Sequence, residues 1–140
     1  MPVKSAEAVW EGSLMEGKGR LKTQSGYATD YGWKSRSGDV PGANPEELLG
    51  AAHAGCFTMA LSLMLTKAGH PPTSVETTAT VNLDKVGDGF SIVGIDLVTR
   101  GQVPGADDAL FKRLANDAKE NCIVSRALKV PMTLDAALTA

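Results

Sequence analysis

The segment from Asn44 to Lys67 constrains this chain more than any other, because apolar residues fall on every face of the helix it encodes. Asn44 can cap that helix, Pro45 suits its first position, and Glu46 and Glu47 meet the positive end of the helix dipole. The helix can run to about Lys67, since Gly69 suits the C-terminal end and Pro71-Pro72 forbids continuation. Between these ends Leu48, Leu49, Phe57, Met59, Leu61, Leu63, Met64, Leu65 and several alanines occupy the whole wheel, so the helix is expected to be buried nearly all round. A bilayer crossing is the rival reading, and His53, Thr58, Ser62 and the many Ala and Gly argue against it, so no membrane is expected as a partner. Gly50, Ala51, Ala52, Ala54 and Gly55 would instead admit a second backbone, either a sheet or another copy of the helix. A buried central helix in a chain of 140 residues points to a dimer.

The flanking segments read as strands and amphipathic helices. Before residue 40 the chain is rich in Gly, Ser and Thr with short apolar signals at Val9-Trp10, Leu21 and Tyr31-Gly32-Trp33, which predicts several short strands. Gly17-Lys18-Gly19-Arg20 lacks the spacing of a phosphate loop and is read as a turn. From Val75 the period becomes two, with Val75, Thr77, Ala79, Val81 and Leu83 on one face. Gly87-Asp88-Gly89 then turns the chain into a second strand over 90–100. Residues 106–120 carry Leu110, Phe111, Leu114, Ala115 and Ala118 at helical spacing, behind Asp107 and Asp108 in the first turn. A short helical piece over 123–129 and a closing strand through Val130, Met132 and Leu134 complete an α+β order.

One domain, 1–140, is expected at this length. A net charge of -2 spread along the chain provides no basic stripe for a phosphate backbone, so nucleic acid is not an expected partner. Lys4, Glu7 and Glu11 interrupt any secretory signal, and the expected compartment is cytoplasmic. Two cysteines in a reducing compartment are not a permanent staple; they are inert core residues, metal ligands or a redox pair.

Cys56 lies in the middle of the long helix, far from the helix N-terminus, so apolar surroundings alone would leave it unreactive. Reactivity requires a cation from elsewhere, and Arg36 and Arg20, both read as lying in the N-terminal strands, are the candidates because arginine stays charged when desolvated. His53, three residues before Cys56, leaves open a Cys-His hydrolase nucleophile; the plainer alternative is a packed histidine bonded to a backbone carbonyl. A metal site from His53, His70, Cys56 and Cys122 lacks the paired ligand motifs usual for zinc.

The stretch Asn44-Pro45-Glu46-Glu47-Leu48-Leu49-Gly50-Ala51-Ala52-His53-Ala54-Gly55-Cys56-Phe57-Thr58-Met59-Ala60-Leu61 resembles the signature of the OsmC/Ohr family, the osmotically inducible and organic hydroperoxide resistance proteins. Ala8-Val9-Trp10-Glu11-Gly12, Val81-Asn82-Leu83-Asp84-Lys85-Val86 and Cys122-Ile123-Val124-Ser125 resemble its OsmC branch. The resemblance implies an intertwined homodimer, a long buried central helix on curved antiparallel sheets, and a cysteine peroxidase site at the subunit interface. By it Cys56 is the peroxidatic cysteine, Cys122 the resolving cysteine, Glu46 the motif carboxylate and Arg36 the arginine before the Asn-Pro-Glu motif; the Ohr branch takes its arginine from an earlier strand, where Arg20 lies. It further implies an organic hydroperoxide substrate, suited by apolar Phe57 and Met59, and an external dithiol reductant, for which it points to lipoyl-type dithiols. Neither a metal nor a flavin or other cofactor is needed. A non-enzymatic stress or binding protein with inert cysteines is the alternative. Glu46 and Cys56 are ten residues apart, about 15 Å on a straight helix, so a shared site needs either a helix break or a carboxylate from a second subunit.

Overall fold

The computed structural model describes residues 2–139. The chain forms two compact units, Met1–Leu48 and Leu49–Ala140. In the first, β1 (Ala6–Glu11), β2 (Lys18–Thr23) and β3 (Ala28–Tyr31) make an antiparallel sheet in that order. Trp10, Gly19 and Tyr31 are paired across it, and the two rings lie 5.6 Å apart. A Cβ on Gly19 would sit 2.5 Å from the Tyr31 ring and 2.7 Å from that of Trp10, so this glycine belongs to a strand crowded by aromatics. Lys18 to Arg20, read as a turn from the sequence, is the start of β2. A five-residue helix, α1 (Trp33–Ser37), follows β3. It holds Arg36, which therefore lies on a helix and not in the strand expected for it.

The long helix is α2 (Pro45–Lys67). Asn44 Oδ1 accepts the Glu47 N–H at 2.8 Å, and the far end closes through His70 N–H to Leu65 O and Gly69 N–H to Thr66 O. Gly69 has φ +88° there, the left-handed conformation in which glycine ends helices. The expectation of burial all round is not met within one chain. Glu46, Gly50, His53, Phe57, Leu61 and Leu65 are buried, while Ala51, Ala52, Gly55, Met59 and Leu63 are exposed. A Cβ on Gly50 would lie 3.2 Å from the Ala79 carbonyl oxygen, so the helix meets the sheet through this small residue, whereas nothing lies within 4 Å of the same position on Gly55. By length and composition α2 could also cross a bilayer, at a mean hydropathy of 1.7. Its Phe57, Leu61 and Leu65 instead join Ile95, Leu97, Val103, Phe111, Ala115, Ala118 and Cys122 in one core.

The second unit adds β4 (Ser74–Val86), β5 (Gly89–Gln102), α3 (Asp108–Asn121), α4 (Ile123–Ala127) and β6 (Met132–Leu138). β4 and β5 form a hairpin with Val86 opposite Gly89, and the turn puts Gly87 at φ +64°. The register shifts between Asn82 and Leu83, which takes Leu83 off the buried face expected for it and leaves it exposed. Asp107 caps α3 by accepting the Leu110 N–H at 2.8 Å. The α+β class is as expected, but the second sheet is mixed: β6 pairs with β5 in parallel. The intervening helices α3 and α4 form the crossover that a parallel pair requires and a hairpin does not.

Candidate active site

Both cysteines are free thiols, Cys56 half-buried and Cys122 buried. Cys122 joins two helices: its N–H bonds to Ala118 O at the end of α3, and its Sγ accepts the Ser125 N–H at 3.3 Å at the start of α4. The preceding amide, Val124 N–H, points to Cys56 Sγ at 3.4 Å. Two consecutive amides of α4 therefore hold the two sulfurs, one reached from the core helix and one from the helix junction, 66 residues apart in sequence. A sulfur that accepts an N–H is better placed to carry negative charge.

His53 is fully buried on α2. Its Nε2 lies 2.7 Å from Ser125 Oγ, and the same hydroxyl lies 3.0 Å from Cys122 Sγ. The histidine is thus bonded to a serine hydroxyl and not to a backbone carbonyl, and among the described residues its Nδ1 has no partner. Burial pushes its pKa below the ordinary 6.5, because desolvation disfavours the imidazolium. Ser125 has no role in the sequence reading; the available signal was its spacing, three residues after Cys122 at a helix start.

The remaining predicted residues sit in the first unit. Glu46 Oε1 accepts both Arg36 Nε at 2.8 Å and Arg36 Nη2 at 2.6 Å. Glu46 is only 8% exposed, whereas Arg36 is half exposed at its side chain. Arg20 is engaged elsewhere, 2.7 Å from Asp30 across the exposed β2–β3 pair. The structure therefore pairs Arg36 with Glu46, and it brings Cys56 and Cys122 each to an amide of α4. The helix is unbroken between Glu46 and Cys56, which removes one of the two routes to a shared site. Phe57 lies in the core, fully buried, and is not available to a substrate. Among the described residues no cluster of three or more His, Cys, Asp or Glu is placed to hold a metal.

The model of the OsmC-like protein family matches residues 36–136. The chain belongs to this family. It is 50% identical to the peroxiredoxin OsmC of Escherichia coli over 94% of either chain, and equally to the peroxiredoxin OsmC of Shigella flexneri. With half its residues shared over nearly the full length of those peroxiredoxins, it is a peroxidase. Among solved structures, an OsmC-like protein of unknown function from Vibrio cholerae superposes with a TM-score of 0.81 at 18% identity, covering 97% of this chain and 99% of that one. The organic hydroperoxide resistance protein OhrB of Bacillus subtilis gives 0.70 at 26% identity, covering 96% and 98%. Both solved structures thus share the fold of this chain.

Proposed function

We propose that this peroxidase reduces organic hydroperoxides to alcohols, with Cys56 as the attacking thiolate and Cys122 as the resolving cysteine. The sulfur of Cys56 attacks a peroxide oxygen, the O–O bond breaks, and the alkoxide leaves as the alcohol after taking a proton. Cys56 is left as a sulfenic acid. Cys122 displaces water from it to give a disulfide, and an external dithiol of lipoyl type restores both thiols. The observation that carries this reading is the pair of consecutive amides, Val124 and Ser125, one on each sulfur. They supply a reason for both cysteines to meet in one place, which inert core cysteines would not need.

Arg36 serves as the cation, oriented by Glu46, because a guanidinium held by a buried carboxylate keeps a fixed direction. Met59, one turn beyond Cys56, and Ile123, next to Val124, are 76% and 74% exposed; such apolar side chains suit an alkyl peroxide better than hydrogen peroxide. The working unit is one domain, 1–140, in a cytoplasmic homodimer. The exposed Ala51-Ala52-Gly55-Met59-Leu63 face of α2 is the surface through which two copies would bury their helices, and the second subunit would then bring Arg36 and Glu46 to Cys56.

The test is peptide mapping after several equivalents of cumene hydroperoxide, the second of which is what over-oxidation consumes. A Cys56–Cys122 disulfide is expected in the natural chain, no peroxide consumption in Cys56→Ser, and one fast reaction followed by sulfinic Cys56 in Cys122→Ser. Sulfinic Cys56 in the natural chain, with Cys122 still free, would reject the resolving role.

A further inference from the structure

The chemistry proposed for the two cysteines leaves one demand unassigned. Cys122 is a buried thiol, only 3% exposed, and it must lose a proton before its sulfur can attack. A thiol is a far weaker nucleophile than a thiolate, and water cannot readily reach this one.

The groups around it form a continuous chain. Cys122 Sγ lies 3.0 Å from Ser125 Oγ, and Ser125 Oγ lies 2.7 Å from His53 Nε2. All three residues are buried. The hydroxyl accepts from the thiol, so its own hydrogen is free to go to the imidazole, which places the ring hydrogen on Nδ1. Reversing every hydrogen in the chain produces the other charge state: His53 Nε2–H donates to Ser125 Oγ, and Ser125 O–H donates to an anionic sulfur that also holds the Ser125 backbone N–H. One set of heavy-atom positions therefore serves both the thiol with neutral imidazole and the thiolate with imidazolium.

We infer that His53, acting through Ser125, is the base that ionises Cys122 for disulfide formation. This rests on the reading of Cys122 as the resolving cysteine. The step balances without any further oxidant. The Cys122 proton passes to Ser125 Oγ as the Ser125 proton passes to His53 Nε2. The Cys122 sulfur then attacks the Cys56 sulfur, the S–S bond forms, the S–O bond of the sulfenic acid breaks, and hydroxide leaves. The imidazolium returns its proton, so the products are the disulfide, water and neutral His53. Both sulfurs end one step from the thiol, the sulfenic sulfur reduced and the Cys122 sulfur oxidised.

A buried imidazole that rests neutral is a competent proton acceptor, and burial holds His53 in that form. Among the described residues, titratable groups near the relay are Cys56, which accepts the Val124 N–H, and, from α3, Lys119 and Glu120, which line the same small cavity as Ser125. Lys119 and Glu120 lie 3.5 Å apart as an ion pair, so neither presents an unbalanced charge to the relay. Ser125 touches the reacting sulfur and is catalytic in this step; His53 acts through it.

The experiment is a single turnover. Reduced protein receives one equivalent of cumene hydroperoxide, and the Cys56–Cys122 disulfide and dimedone-reactive Cys56 are followed by quenched mass spectrometry from pH 6 to 9.5. At pH 7 Ser125→Ala and His53→Gln should form the disulfide at least tenfold more slowly than the natural chain and accumulate the sulfenic acid. The deficit should close toward pH 9.5, where a thiol ionises without help. Ser125→Thr, which keeps the hydroxyl, should restore the rate at pH 7. A purely structural role predicts a deficit that is the same at every pH, and that result would overturn the relay, as would natural rates in both variants. Failure of the underlying reading looks different: the natural chain would form no Cys56–Cys122 disulfide at any pH.

Discussion

Glu46 is 8% exposed with Arg36 on one oxygen, and in the proposed function this carboxylate orients the cation. Glu46→Gln keeps the shape and removes the charge; a charge-assisted bond is stronger than a neutral one by about 1 kcal/mol or more. Peroxidase kcat/KM should therefore fall about tenfold, with the fold retained by circular dichroism. An unchanged kcat/KM would show that Arg36 needs no partner. His53 makes a second prediction at this scale. Its pKa is lowered in the fold, so between the ordinary 6.5 and the lower native value the unfolded chain binds a proton that the native chain refuses. Stability then rises with pH and is lost as pH falls below about 6.5. Urea midpoints at pH 7.5 and 5.5 should differ more for the natural chain than for His53→Gln.

At the scale of elements, α3 shows how local chemistry and burial divide the work. Asp107 Oδ1 satisfies one otherwise free N–H of the first turn, and Asp107→Ala should cost about 1 kcal/mol in urea unfolding. Phe57, by contrast, is fully enclosed in the core, and Phe57→Ala should cost about 3–5 kcal/mol, because the neighbours cannot collapse into the whole space left behind. Equal costs for the two variants would contradict this placement. The second sheet is tied by Asp96, which accepts from Thr133 Oγ1 at 2.6 Å and Asn82 Nδ2 at 2.8 Å. The carboxylate thereby links β5 to both of its neighbours, β4 and β6. These bonds, that from Thr133 foremost, hold its pKa below the usual carboxylate value.

For the whole molecule the decisive feature is the face of α2 that one chain leaves bare. Met59 and Leu63 are 76% and 55% exposed, and Ala51, Ala52 and Gly55 keep that face low enough for a second helix to approach. A dimer built there would complete the site from two subunits, which mixed dimers can reveal. A subunit carrying Cys56→Ser combined with one carrying Glu46→Ala should retain one intact site and about half of the natural activity. Activity near zero in verified heterodimers would sink the shared-site arrangement.

Elements whose signals are local can be read from the linear chain alone. Asn44, Pro45 and Gly69 bound α2 because caps and breakers act within a turn of their own position, and Val75 to Val81 alternate because a strand with one covered face must. The motif around Cys56 marked the family for the same reason, being one contiguous run. Features that depend on distant partners were decided by the tertiary structure. Leu83 left the expected face because of a register shift, and β6 joined β5 in parallel because α3 and α4 form a crossover rather than a turn. Lys18 to Arg20 became strand because Gly19 fits between Trp10 and Tyr31. Arg36 lies on a helix and pairs with Glu46, whereas Arg20 pairs with Asp30, partners that no linear reading assigns. Ser125 has only its spacing after Cys122 as a local signal: it becomes part of the site because α4 brings its hydroxyl between His53 and Cys122, and its amide and that of Val124 to the two sulfurs.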